Sequence, residues 1–307
     1  MLIAKVVLLS VLAVTACAFT WMWFWELKRR PGWHWPRTFH AAVGFLTDFL
    51  DTLGVGSFAV TTTIYRGFKA VPDQLIPGTL NVGHTLPTIA QAFIFIAIVE
   101  VDIWTLWLLI MASALGAWLG AGVVTRLPKQ RIQLGMGCAL LIASVLMLLS
   151  LWNALPLGGS DLKLSGIKLL VAIVCNLIFG ALMTIGVGAY APIMVMVSLL
   201  GMNSKAAFPI MMGSCAFLMP AASWRFIKSE RYDPQAALGL TLLGVPAVLV
   251  AAFLVGELPV TALKRLVVAV VVYTAITMIW AGCRRAQTGA IQPGQEPETS
   301  EPSGLTD

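Results

Sequence analysis

The chain has 307 residues, of which 59% are hydrophobic and only 11% charged, and its formal net charge is +6. That apolar share lies far above the range of soluble domains and points to a polytopic helical membrane protein. The positive charge sits in short basic loops, not on a basic face with interleaved aromatics, so cytoplasmic loop bias explains it and nucleic acid is not an expected partner.

Residues 1–38 read as an N-terminal transmembrane helix, apolar from about Ile3 to Trp25, with a basic link behind it. Trp21, Trp23 and Trp25 followed by Lys28, Arg29 and Arg30 mark a membrane interface, with the link in the cytoplasm. A cleaved signal is the competing reading, because Val14-Thr15-Ala16-Cys17 resembles a lipoprotein cleavage box. Against it, apolar sequence continues past Cys17 and the basic cluster lies on the wrong side. Residues 39–152 form a first unit: a segment from Phe39 to about Tyr65 interrupted by Gly54-Val55-Gly56, then helices near 75–98, 104–124 and 132–152. A polar link, 153–166, leads to a second unit, 167–283, with an interrupted segment near 168–200 and helices near 206–224, 236–256 and 262–283. Residues 284–307 are polar and rich in Pro and Gly, as expected of a disordered cytoplasmic tail. Cys17, Cys138, Cys175, Cys215 and Cys283 are scattered through apolar segments with no C-x-x-C pairing, which suggests neither disulfides nor a metal site.

The division into units rests on a phrase that occurs twice, Thr52 to Ala59 (TLGVGSFA) and Thr184 to Ala191 (TIGVGAYA). A duplication with a period of about 130 residues is too long for a solenoid and suits a two-fold transporter. Mid-membrane Gly-x-Gly weakens a helix, and unwound backbone persists in lipid only where it is packed in protein or lines a wet cavity. Gly54, Gly56, Gly186 and Gly188 are therefore candidate substrate-site residues, close helix packing being the alternative reading. If each broken segment returns to its own side as a re-entrant hairpin, the two halves are inverted and most of the 20 Lys and Arg residues fall in the cytoplasm. Full crossing of both segments leaves hardly any bias, so the positive-inside rule prefers the hairpin.

Ser57 and Tyr190 occupy matching positions in the two phrases and offer hydroxyl donors, unless they only pack. The helices that follow supply Thr79, Asn81 and His84 in the first half and Ser214 in the second. His84 is open to two readings, a hydrogen-bonded packing residue or a proton relay, and no second ligand stands at metal spacing beside it. Asp48 and Asp51, three apart and so on one helical face, are candidate proton-coupling residues, because carboxylates at membrane depth are costly and usually face a cavity. The competing reading places both near an interface, where they solvate or cap. Half-helix N-termini meeting at the break would favour an anion without a buried cation.

With the two glycine phrases, Leu115 to Gly122 (LGAWLGAG) followed by Arg126-Leu127-Pro128, and the roughly four-plus-four apolar layout in view, residues 40–283 resemble the sulfite exporter TauE/SafE family, also called the toluene sulfonate uptake permease family. The resemblance implies transport of small anions, sulfite or organosulfonates, through a site between two repeats. The chain departs from the family's G-G-G form by carrying Thr-Leu-Gly-Val-Gly and Thr-Ile-Gly-Val-Gly with the Asp48/Asp51 pair, and its N-terminal helix is extra to the usual core. The expectation is thus an all-α polytopic protein with two inverted repeats of about four helical segments each, multi-pass in a bacterial inner membrane. It would transport or export small organic or sulfur-containing anions, with protons as the candidate coupling ion and no cofactor. The chain lacks GxxxxGK[ST], H-E-x-x-H and G-x-S-x-G, so neither an ATP-driven pump nor a membrane-embedded enzyme is indicated. A membrane-embedded enzyme, which would need a catalytic group, and a non-transporting membrane subunit of a complex are the alternatives.

Overall fold

The computed structural model describes residues 2–29, 34–53, 56–72, 75–123, 159–183 and 190–257, with single positions between 134 and 148 and between 265 and 283. Among these residues the chain is helical, with no strand beyond one isolated bridge between Asp161 and Met202. The expected helices near 132–152 and 262–283, and the tail, fall largely or wholly outside the described residues.

Helix α1 (Leu2–Arg29) carries the Trp cluster and ends on Lys28 and Arg29. Lys28 lies over the Phe24 ring, 4.5 Å from its centroid, as befits a cation at an aromatic membrane interface. At the other end of α1, Lys5 Nζ donates to the Ala97 carbonyl at the end of α4 (Ile76–Ile98), which gives a cation in an apolar helix an acceptor. Helix α5 (Ile103–Val123) follows; Asp102 caps it, its carboxylate accepting from the Thr105 N–H and hydroxyl. Further on come α6 (Gly166–Met183), α7 (Tyr190–Leu199), a short 3₁₀ turn, α8 (Ala207–Lys228) and α9 (Pro234–Glu257). Among the described residues α1, α4, α6, α8 and α9 are long and apolar enough to cross a membrane, and α5 adds a shorter apolar stretch.

The first interrupted segment is α2 (Thr38–Thr52) and α3 (Ser57–Gly67). Neither arm reaches across a ~30 Å hydrocarbon core at 1.5 Å per residue. The arms fold back on each other: the Phe39 and His40 rings at the start of α2 lie 6.5 Å and 5.5 Å from the Tyr65 ring near the end of α3, and Phe39 lies 5.4 Å from Phe68. Both ends of the segment are therefore neighbours, as in the hairpin the charge distribution favours. Gly56, the residue before α3, has φ 82°, a left-handed conformation that only glycine adopts without strain.

The hairpin is held by a seam with α9. A Cβ built on Gly44 would lie 2.5 Å from the Leu240 carbonyl oxygen, and one on Gly239 would lie 2.5 Å from His40 Cβ, so α2 and α9 touch backbone to backbone. Helices α5 and α6 meet in the same way, Gly116 against the Leu177 carbonyl and Gly180 against that of Ser113. Helix α4 packs against both α8 and α9. Its Pro87 has no N–H, which leaves the Gly83 carbonyl without its helical partner; the Thr241 hydroxyl of α9 donates to that oxygen at 2.6 Å. The central core, which includes Phe95, Phe208, Ile210, Met211, Met212 and Met219, lies between α4 and α8, with the Phe95 and Phe208 rings stacked at 4.9 Å.

Candidate functional site

Polar side chains gather where α2, α3 and α4 meet beside the break. Asp48, Asp51 and Thr52 in the last turns of α2, Ser57 and Thr61 in α3, and His84, Thr88 and Gln91 on α4 are all buried to within 1%. His84, Thr88 and Gln91 follow at spacings of four and three, which puts them on one face of α4.

Two hydrogen-bonded groups organise the cluster. In the first, His84 Nδ1 and Asp48 Oδ1 are 2.8 Å apart, and His84 Nε2 and Thr61 Oγ1 are 3.1 Å apart. His84 thus joins the two arms of the hairpin. With Asp48 ionised the imidazole carries its proton on Nδ1, and Nε2 accepts from the Thr61 hydroxyl when His84 is neutral. In the second group, Asp51 Oδ1 accepts from the Ser57 N–H at 2.6 Å, while Asp51 Oδ2 accepts from Gln91 Nε2 at 3.1 Å. Gln91 Nε2 also donates to Thr52 Oγ1 at 2.9 Å, and the Thr52 hydroxyl donates to the Asp48 carbonyl at 2.7 Å. Asp51 therefore meets the positive end of α3 and ties it to the end of α2.

Four buried atoms of this cluster have no hydrogen-bond partner among the described residues: Asp48 Oδ2, Ser57 Oγ, Thr88 Oγ1 and Gln91 Oε1. A buried polar atom left unpaired costs about 1–3 kcal/mol. All four lie beside the interruption between α2 and α3.

The structure brings together four of the sequence candidates, Asp48, Asp51, Ser57 and His84, with Gly56 at the turn. It engages others elsewhere. Thr79, at the start of α4, donates to the Leu75 carbonyl and accepts from the Asp233 N–H at the entry to α9. Asn81 donates to the Pro77 carbonyl within its own helix at 2.9 Å. Ser214 of α8 accepts from Asn176 Nδ2 of α6 at 3.2 Å, in a second buried polar group with the Leu109 carbonyl. Gly54, Gly186 and Gly188 lie outside the described residues, as does the Tyr190 side chain. Thr52, Thr61, Thr88 and Gln91 belong to this cluster and are absent from the sequence-based set, as is Asn176 of the second group. The polar residues at helical spacing after His84 are the signal that could have found Thr88 and Gln91.

No curated protein and no solved structure matches the chain. The family model described as Sulfite exporter TauE/SafE matches residues 1–147. The matched span includes α1 and ends before the second unit, whereas the resemblance read from the motifs starts near residue 40 and runs on to 283. This match, over the residues that hold the first glycine phrase and its hairpin, supports the family the motifs resemble.

Proposed function

We propose that the chain is a secondary transporter of small sulfur-containing or organic anions, of sulfite, sulfonate or carboxylate type, in a bacterial inner membrane, and that it loads its cargo at the break between α2 and α3. One observation carries this reading: a fully buried cluster with four polar atoms that have no partner among the described residues, beside the break between α2 and α3. The positive end of α3 is already met by Asp51. An incoming anion is received instead by the hydroxyls beside it, Ser57 Oγ and Thr88 Oγ1. The family description, a sulfite exporter, supports the cargo class.

The hairpin of α2 and α3 favours the inverted two-fold arrangement, in which a second break near Gly186 and Gly188 faces the first and the C-terminal tail is cytoplasmic. Driving force in this scheme comes from a proton gradient, with Asp48 and Asp51 the carboxylates at the site. The test is anion flux into liposomes that contain only the purified chain. Saturable flux of sulfite or a sulfonate supports the proposal; liposomes no more permeable than empty ones refute it.

A further inference from the structure

The two buried carboxylates stand three residues apart on α2, yet their surroundings differ. Asp51 has a donor at each oxygen: the Ser57 N–H, fixed in the first turn of α3, and the Gln91 amide. Neither donor titrates. Asp48 has one side-chain partner, His84, and that partner does titrate. The second oxygen of Asp48, Oδ2, has no hydrogen-bond partner among the described residues and lies against Gly244 of α9.

We infer that Asp48 and His84 together form the proton-carrying site of the transporter, that Asp51 is a fixed cap which stitches the break, and that one proton loads on the pair with each anion. This rests on the transport reading above.

Charge decides the step. With one proton shared between them the pair is neutral, either as imidazolium and carboxylate or as imidazole and carboxylic acid. Without it the pair carries one negative charge in a site sealed from water. The other titratable groups near the pair are Asp51, on the same helix, which acts on both members, and Tyr65, on α3, whose hydroxyl feels the Asp48 charge. Helix α9, packed against α2, has no titratable residue from Pro234 to Gly256. The charged residues of α1 and α8 lie at their ends: Lys5 on the Ala97 carbonyl, Glu26, Lys28 and Arg29 at the far end of α1, Arg225 and Lys228 at that of α8. Cys215 of α8 donates to Met183 Sδ, away from the pair. Among the described residues no fixed cation neutralises Asp48, so only a mobile charge can do so.

An unprotonated pair repels an incoming anion. For two unit charges several ångströms apart at an effective dielectric constant of about 20, that repulsion lowers anion affinity by roughly 10- to 100-fold. Protonation removes the repulsion. A proton on Asp48 also turns its free oxygen from an acceptor into a donor. Because His84 bonds to Asp48 in one arm and to Thr61 in the other, the protonation state of Nε2 sets whether the Thr61 hydroxyl donates or accepts. The proton is thus sensed by both arms of the hairpin that receives the anion. By reciprocal linkage, anion binding must then raise proton affinity by the same factor.

The test uses the purified full chain and two probes, sulfite and methanesulfonate. Methanesulfonic acid is too strong to hold a proton near neutral pH, so any proton taken up on its binding belongs to the protein. In weakly buffered detergent solution with a pH indicator, saturating methanesulfonate should remove about one proton from solution per anion bound. In proteoliposomes, counterflow at equal pH on both sides should quicken as pH falls, by up to about 10-fold per pH unit above the pair's titration. Asp48→Asn should abolish proton uptake and flatten the pH profile. His84→Gln leaves Asp48 as the pair's only proton carrier, so proton uptake should persist while the pH profile shifts, and the double variant Asp48→Asn/His84→Gln should show neither uptake nor a pH response. A purely structural role for the pair predicts that both variants lose stability and keep the wild-type pH profile. The inference fails if the wild-type protein moves either anion without taking up a proton. It fails equally if Asp51→Asn rather than Asp48→Asn removes the pH response, which would place the proton at the cap. Those two measurements stand even if a variant does not fold. If the wild-type chain moves neither probe, the transport reading itself fails and takes this one with it.

Discussion

Replacing Gly244 with alanine attacks the coupling site from the neighbouring helix without changing any polar group. A Cβ at position 244 would lie 2.8 Å from Pro87 Cγ and 3.0 Å from Asp48 Cγ, and closer still to Asp48 Oδ2. Helix α9 cannot simply retreat, because Gly44 and Gly239 fix it backbone to backbone against α2 little more than one turn away. The carboxylate must turn aside. Overpacking costs about 1–3 kcal/mol, and loss of the 2.8 Å bond to His84 adds about 1.5–3 kcal/mol more. At about 2–4 °C per kcal/mol for a protein of this size, Gly244→Ala should lower the melting temperature in detergent by at least about 5 °C. It should also flatten the pH profile of anion counterflow. Gly239→Ala is the control: its Cβ would press on His40 Cβ with 2.5 Å of separation, in the same seam but away from Asp48. That variant should lose stability while its flux still responds to pH. Unchanged melting for Gly244→Ala, or a pH response as steep as that of the wild type, would refute the argument.

Asp51→Ala leaves the Ser57 N–H and one Gln91 amide bond without their acceptor, and should cost about 1–3 kcal/mol, read as a lower melting temperature in detergent. Gly56→Leu should abolish flux while the protein still reaches the membrane; nothing lies within 4 Å of its Cβ position, so the loss comes from the left-handed backbone and from bulk at the break. Gly180→Leu, which drives a side chain into the Ser113 carbonyl, should part α5 from α6 and lower the yield of folded protein after detergent extraction. For topology, a single cysteine at Gln130, with the native cysteines removed, should resist impermeant thiol reagents on intact cells, because Arg126, Lys129 and Arg131 are expected on the cytoplasmic side. Labelling from outside would overturn the inverted hairpin arrangement.

Much of the architecture is legible in the chain because apolar runs of membrane length leave few alternatives. The break after α2 is marked by Gly54-Val55-Gly56, and α4 and α9 begin and end within about two residues of where hydropathy puts them. The pairing of side chains is less legible. Asp48 and Asp51 look alike in sequence, and only the fold shows that one faces His84 from a distant helix while the other caps α3. Thr79 and Asn81 look like site residues because they are polar in an apolar helix. The structure gives Thr79 to the α9 entry and Asn81 to its own backbone, partners set by tertiary contact and by rotamer that no spacing rule reveals. Gly244 carried no signal at all, since its importance lies in what a neighbouring helix presses against it.

The central claim, that this chain by itself carries small anions through the break in α2 and α3, is tested most directly by sulfite flux in liposomes reconstituted with the purified wild-type protein. The account predicts saturable uptake that methanesulfonate competes away and that accelerates as pH falls. Flux equal to that of empty liposomes at every pH, for sulfite and methanesulfonate alike, would contradict it.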